Sequence, residues 1–109
     1  MTVETDAVGV RQEELDRVVH EPARLRILAT LAVVESADFL FLQQHLGLTK
    51  GNLSAHLARL EEASYIEVRK EFVRRIPRTV LRITALGREA LDRYTRTMRD
   101  LLDGVPSPA

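Results

Sequence analysis

The chain has 109 residues, 45% of them hydrophobic and 29% charged, which suits one globular domain and excludes two domains or a disordered polymer. It has no cysteine, so disulfides and thiolate metal sites are excluded, and no apolar run approaches the roughly 20 residues of a membrane span. Sixteen basic groups balance sixteen acids, but unevenly: residues 50–82 hold eight basic against four acidic groups, whereas residues 1–21 carry −4. A surplus of cations in one stretch is the footprint a polyanion partner requires.

Residues 1–11 are polar and without period, and they lack the basic and apolar parts of a signal peptide, so they read as a tail on a cytoplasmic protein. Leu15, Val18 and Val19 then share one face of a short helix from Gln12 to His20. Pro22, well placed in a first turn, opens a second helix to Val34. Its buried side is marked by Leu25, Leu28, Ala29, Ala32 and Val33, widened by Ile27 and Leu31. Glu35 to Asp38 is a break with one or two extended residues. A third, short helix runs from Phe39 to Leu46, with Phe39, Leu42 and Leu46 inward and Gly47 as its stop.

Thr49 caps the next helix, in which Leu53, Leu57 and Leu60 fall on one face. Gly51, Asn52, Ser54, Ala55, Ala58 and Arg59 point away from that stripe. These short, hydrogen-bonding side chains permit close approach to a flat polar partner, and Asn, Ser and Arg can read base edges. Two helices joined by the tight Leu48-Thr49 turn make a helix-turn-helix, the second being a DNA recognition helix. Ser64 stands where a glycine is favoured after this helix; a left-handed conformation there costs serine roughly 1 kcal/mol relative to glycine.

Ile66, Val68 and Lys70 alternate with Glu67, Arg69 and Glu71 in a half-buried strand. Residues 72–78 read as a hairpin loop with Pro77 at its return, and Thr79–Thr84 as the second strand. Thr84 caps a last helix over Ala85–Asp103, ended by Gly104 and Pro106. Its stripe of Leu86, Ala90, Leu91, Tyr94, Met98, Leu101 and Leu102 extends for about 28 Å at 1.5 Å per residue. The distal part overhangs a core of this size and calls for a partner.

The segments His20–Leu28, Gly51–Leu57 and Pro77-Arg78-Thr79 with Thr84–Arg88 resemble the small one-domain winged-helix regulators of the MarR/ArsR type. The resemblance covers about residues 14–103. It implies a winged helix-turn-helix, mainly α with a β-hairpin wing (α+β), spanning 12–103 between tails at 1–11 and 104–109. It also implies a homodimer on operator DNA, with the recognition helix in the major groove and the wing on the backbone or minor groove. By position, Lys50, Gly51, Asn52, Ser54 and Arg59 become recognition-helix contacts, and Arg74, Arg75 and Arg78 wing contacts. Ser64 departs from the usual glycine at its corner.

Dimerisation is assigned to Tyr94, Met98, Leu101 and Leu102 with Leu15, Val18 and Val19 beside them. His20, His45 and His56 fall on three separate helices without ligand spacing, so no metal or cofactor is expected. His20 and His45 read as structural, and His56 as either partly buried or a base contact. The reading is a transcriptional regulator with double-stranded DNA as partner, no membrane and no catalysis, since no nucleophile–base pair or phosphate loop is present. The competing reading is a winged-helix protein-interaction module, which has no need of three arginines in its hairpin. An effector, if one exists, leaves no mark in the sequence.

Overall fold

The computed structural model describes residues 15–107. The first of these do not form the expected helix, whose residues 12–14, like the whole of the expected tail at 1–11, lie outside the described residues. Leu15–His20 are turns instead. The Asp16 carboxylate accepts from the backbone N–H groups of Val18 (2.8 Å) and Val19 (3.2 Å), and its carbonyl accepts from His20 (2.7 Å). A short acidic side chain that satisfies nearby amides in this way competes with helix formation. The turn drives Val19 fully into the core.

Helix α1 (Pro22–Val34) follows, its N-cap supplied by the Glu21 carboxylate accepting from the Arg24 amide at 2.8 Å. The buried residues are Ile27, Leu28 and Leu31, with Leu25 and Ala32 half-buried. Ala29 is exposed and Val33 is 82% exposed, so the stripe is narrower and rotated from the one expected. Strand β1 (Ser36–Asp38) occupies the expected break. Asp38 then caps α2 (Phe39–Leu46) through the Phe41 amide at 2.7 Å, and Gly47 ends it with φ +66°. Thr49 caps α3 (Lys50–Glu62) through the Asn52 amide, with Leu53, Leu57 and Leu60 buried.

After α3 the Ser64 amide donates to Glu61 (2.9 Å) and that of Tyr65 to Leu60 (2.9 Å), with Ser64 at φ +65°. These paired bonds form the Schellman stop, and the serine takes the left-handed place as anticipated.

The wing is longer and tighter than the sequence suggested. Strands β2 (Ile66–Val73) and β3 (Ile76–Ile83) are joined by Arg74 and Arg75 alone, at φ +53° and +68°. Two left-handed residues match the twist of a two-residue hairpin, although Asn and Gly are the usual occupants. Pro77 lies within β3 opposite Phe72. Counting from the turn, this pair is a non-hydrogen-bonded one, so the missing N–H faces away from β2. β1 pairs only with Val80–Arg82, leaving that side open at Pro77. The sheet order is β1-β3-β2, all antiparallel.

Helix α4 (Ala85–Asp103) is tied to the root of the wing. The Thr84 amide donates to the Tyr65 carbonyl (3.0 Å), its hydroxyl to that of Ser64 (2.7 Å), and its oxygen caps Gly87. One core unites Val19, α1, α2, α3, the inner face of the sheet and Ala90 and Tyr94 of α4.

Candidate nucleic-acid interface

Because the three leucines of α3 turn inward, Lys50, Gly51, Asn52, Ser54, Ala55, Ala58 and Arg59 are all exposed. A Cβ on Gly51 would meet nothing within 4 Å, so the beginning of this face is open to a flat partner. Arg59 reaches Glu62 at 3.7 Å, one turn on. An exposed pair of this kind is worth about 1 kcal/mol or less and leaves the guanidinium available.

Arg74 and Arg75 form the wing tip. Arg78 lies back along β3, where its Nε stands 3.8 Å from the Asp38 carboxylate. The structure thus separates the three wing arginines, two at the tip and one beside α2. Between α3 and the wing runs an open groove of about 910 Å³. Lys50 and Ser54 line it from α3, Gln43 from α2, and Lys70, Arg74, Arg78 and Thr79 from the wing; Asp38 and Glu61 are its acids. Lys70, Gln43 and Thr79 are absent from the sequence-based set. A count by twos from Ile66 and Val68 puts Lys70 on the strand face toward α3, so that signal was present. Gln43 and Thr79 needed the tertiary fold.

The histidines each have a partner inside the fold. His20 Nδ1 is 2.7 Å from the Tyr94 hydroxyl, and the His45 ring stacks on Phe41 with centroids 5.3 Å apart. His56 sits between Arg24 (3.3 Å) and Glu21 (3.9 Å), bridging α3 to α1 rather than facing outward with Asn52. No group of three His, Cys, Asp or Glu able to hold a metal occurs among the described residues. Burial raises the Glu21 carboxyl, but the Arg24 amide and the His56 and Arg24 charges outweigh it, and the net direction is down. Burial, reinforced by the bond to Asp16, pushes Tyr65 up to about 12.

The residues assigned to dimerisation divide. Val19 is fully buried and Tyr94 is 6% exposed, both within this chain's own core, so neither offers area to a second chain. Leu15, Val18, Met98 and Leu101 are half-buried, and Leu102 is 57% exposed. No described helix is long and apolar enough to cross a membrane.

Residues 23–102 match the family described as winged helix DNA-binding domain. An uncharacterized protein of Methanocaldococcus jannaschii is 36% identical over 78 residues, 72% of this chain and 85% of the relative. The solved structure of a transcriptional regulator homologue from Pyrococcus horikoshii OT3 superposes with TM-score 0.80 at 33% identity, covering 85% of this chain and 93% of that one. A MarR-family transcriptional regulator from Silicibacter pomeroyi superposes with TM-score 0.60 at 23% identity, covering 87% and 66% respectively, and shares the fold.

Proposed function

The chain belongs to the winged helix DNA-binding domain family, and from that premise we propose that it is a transcriptional regulator that binds operator DNA as a homodimer. The observation that carries this reading is the groove shared by α3 and the wing. A helix face of small polar residues, open at Gly51, adjoins a hairpin with Lys70, Arg74, Arg75 and Arg78.

In the mechanism that follows, α3 enters the major groove. Asn52, Ser54 and Arg59 meet base edges, and Lys50 at the helix start meets a phosphate, aided by the positive end of the helix dipole. The groove between α3 and the wing straddles the sugar–phosphate strand, with Lys70 and Arg78 on its wing side. Arg74 and Arg75 reach the next minor groove or its phosphates and carry affinity rather than sequence information. Two copies related by a two-fold axis place their recognition helices about one helical turn apart, roughly 34 Å. The distal end of α4, with exposed Leu102 beside half-buried Met98 and Leu101, is the surface for that pairing, joined by the half-buried Leu15 and Val18.

Selection of bound duplexes from random DNA tests the reading. A defined, two-fold-symmetric sequence should emerge, and Asn52→Ala and Arg59→Ala should each weaken binding to it by about 1–3 kcal/mol. Wild type showing no preference among duplexes, or both variants binding like wild type, would remove the assignment. A protein-interaction module of the same fold would give that result.

A further inference from the structure

The wing tip is apolar where a solvated hairpin is ordinarily polar. Phe72 is 74% exposed and Ile76 67%, and Val73 beside them is also exposed. The register pairs Phe72 with Pro77 and Val73 with Ile76, so apolar side chains occupy both faces of the ribbon next to the turn. None of Phe72, Val73 and Ile76 belongs to the core or to the half-buried apolar residues packed against it. These side chains contribute little to folding.

Cations surround this apolar cluster: Arg74 and Arg75 in the turn, Arg69, Lys70 and Arg78 below it, against Glu71 and Glu67. Glu67 also lies 3.1 Å from Arg69. An apolar tip ringed by positive charge suits a polyanion with an apolar interior, and stacked base pairs are one. The tip is also continuous with the groove that adjoins the outward face of α3, since Val73, Arg74 and Ile76 line the groove's wing side.

We propose that the apolar tip, with Phe72 on one face of the ribbon and Ile76 on the other, forms a wedge that pries open a base step of duplex DNA in the minor groove beside the α3 contact. The proposal rests on the DNA-binding reading above. The free ribbon from Lys70 to Val73 is about 14 Å long at 3.4 Å per residue, enough to reach the floor of a minor groove about 7.5 Å deep. Its two backbones lie about 4.8 Å apart before side chains are added, whereas the undeformed groove is about 6 Å wide. The tip therefore enters only if the groove opens. Apolar side chains inserted at a step partly unstack it and kink the duplex by about 20–90°. Flexible pyrimidine–purine steps resist this least, so the wedge adds sequence preference at a position that no hydrogen bond reads.

The test compares wild type with Phe72→Thr, Ile76→Thr, a pair that keeps strand-forming residues at exposed sites. Unfolding curves of both proteins verify that the fold is retained. DNA bending is measured by energy transfer between the ends of the selected duplex, together with affinity as a function of salt and of the base step facing the wing. Wild type should bend the duplex. The variant should bind it about 10-fold more weakly, equivalent to 1.4 kcal/mol, with the bend lost and the salt slope unchanged. Equal bending by both proteins, or a wild-type complex that stays straight, overturns the wedge and leaves the DNA-binding reading intact. A wild type that selects no duplex overturns both. A variant that alters only self-association, or only binding to anionic phosphatidylserine vesicles, reassigns the tip to a second copy or to a lipid surface and overturns the wedge.

Discussion

Gly87, in the first turn of α4, determines how closely that helix seats on the root of the wing. A Cβ built there would lie 2.1 Å from the Tyr65 carbonyl oxygen and 3.0 Å from both the Tyr65 carbonyl carbon and Ile83 Cγ1. Real Cβ atoms essentially never approach a neighbour closer than 3.0 Å, so Gly87→Ala forces a retreat of about 0.9 Å. The obstructing atom is backbone and already accepts the Thr84 amide at 3.0 Å, so it cannot rotate aside. Overpacking costs about 1–3 kcal/mol, and a backbone obstacle puts this site at the upper end. Alanine recovers up to about 1 kcal/mol of helix propensity, which leaves a net destabilisation of about 2 kcal/mol. At about 4–8 °C per kcal/mol for a domain of this size, Tm should fall by about 8–16 °C. Urea unfolding followed by circular dichroism measures the change directly. Gly51→Ala is the control: with nothing within 4 Å of its Cβ, it should stabilise by about 0.5–1 kcal/mol. Opposite signs at two helical glycines are the signature of this close approach. A Gly87→Ala protein at least as stable as its parent would mean that α4 does not rest on the Tyr65 carbonyl.

Arg74→Ala, Arg75→Ala should weaken specific and non-specific DNA alike and flatten the log affinity–log salt slope by about 0.9 for each phosphate left without its arginine; an unchanged slope would make the tip a solvated turn. Tyr65→Phe removes the bond to Asp16 but leaves that carboxylate its two backbone donors. It should cost about 1.5 kcal/mol at pH 7 by urea unfolding, the low end for a bond to a charged group. With its pKa pushed up from 10.0 to about 12, Tyr65 contributes stability that is complete below pH 10 and lost as pH rises through 12. The phenylalanine variant should therefore show a flatter stability profile between those values. Met98→Glu, Leu102→Glu should turn a dimer into a monomer by light scattering at micromolar concentration, because each apolar side chain buried in an interface contributes about 1.5–3 kcal/mol before association entropy. A dimer indifferent to both charges would put the interface elsewhere.

The sequence by itself determined the local elements whose signals lie within one turn of chain. The side chains of Glu21 (just before Pro22), Asp38, Thr49 and Thr84 each accept from an amide a few residues on, so α1 to α4 begin where those residues stand. The leucine stripe of α3 likewise determined which face is free, since a 3.6-residue period needs no knowledge of the rest of the fold. Ser64 was legible for the same reason.

Tertiary structure decided whatever depends on distant partners. Asp16 looked like one more polar residue in a helical stretch; its turn is held in place by Tyr65, 49 positions along the chain. The α1 stripe rotated because burial answers to where α2, α3, α4 and the sheet come to lie, not to hydrophobicity, and Val33 was left in solvent. Tyr94 and Val19, apolar enough to read as a partner's surface, were taken into the chain's own core. The wing turn misled because two arginines are poor hairpin formers, and the pairing of Val73 with Ile76 across them depends on the register already established at Ile66–Ile83 and Val68–Leu81, whose side chains lie in the core. A one-residue slip would turn those side chains out to water, and that burial, rather than any preference of Arg74 and Arg75, sets where the hairpin closes.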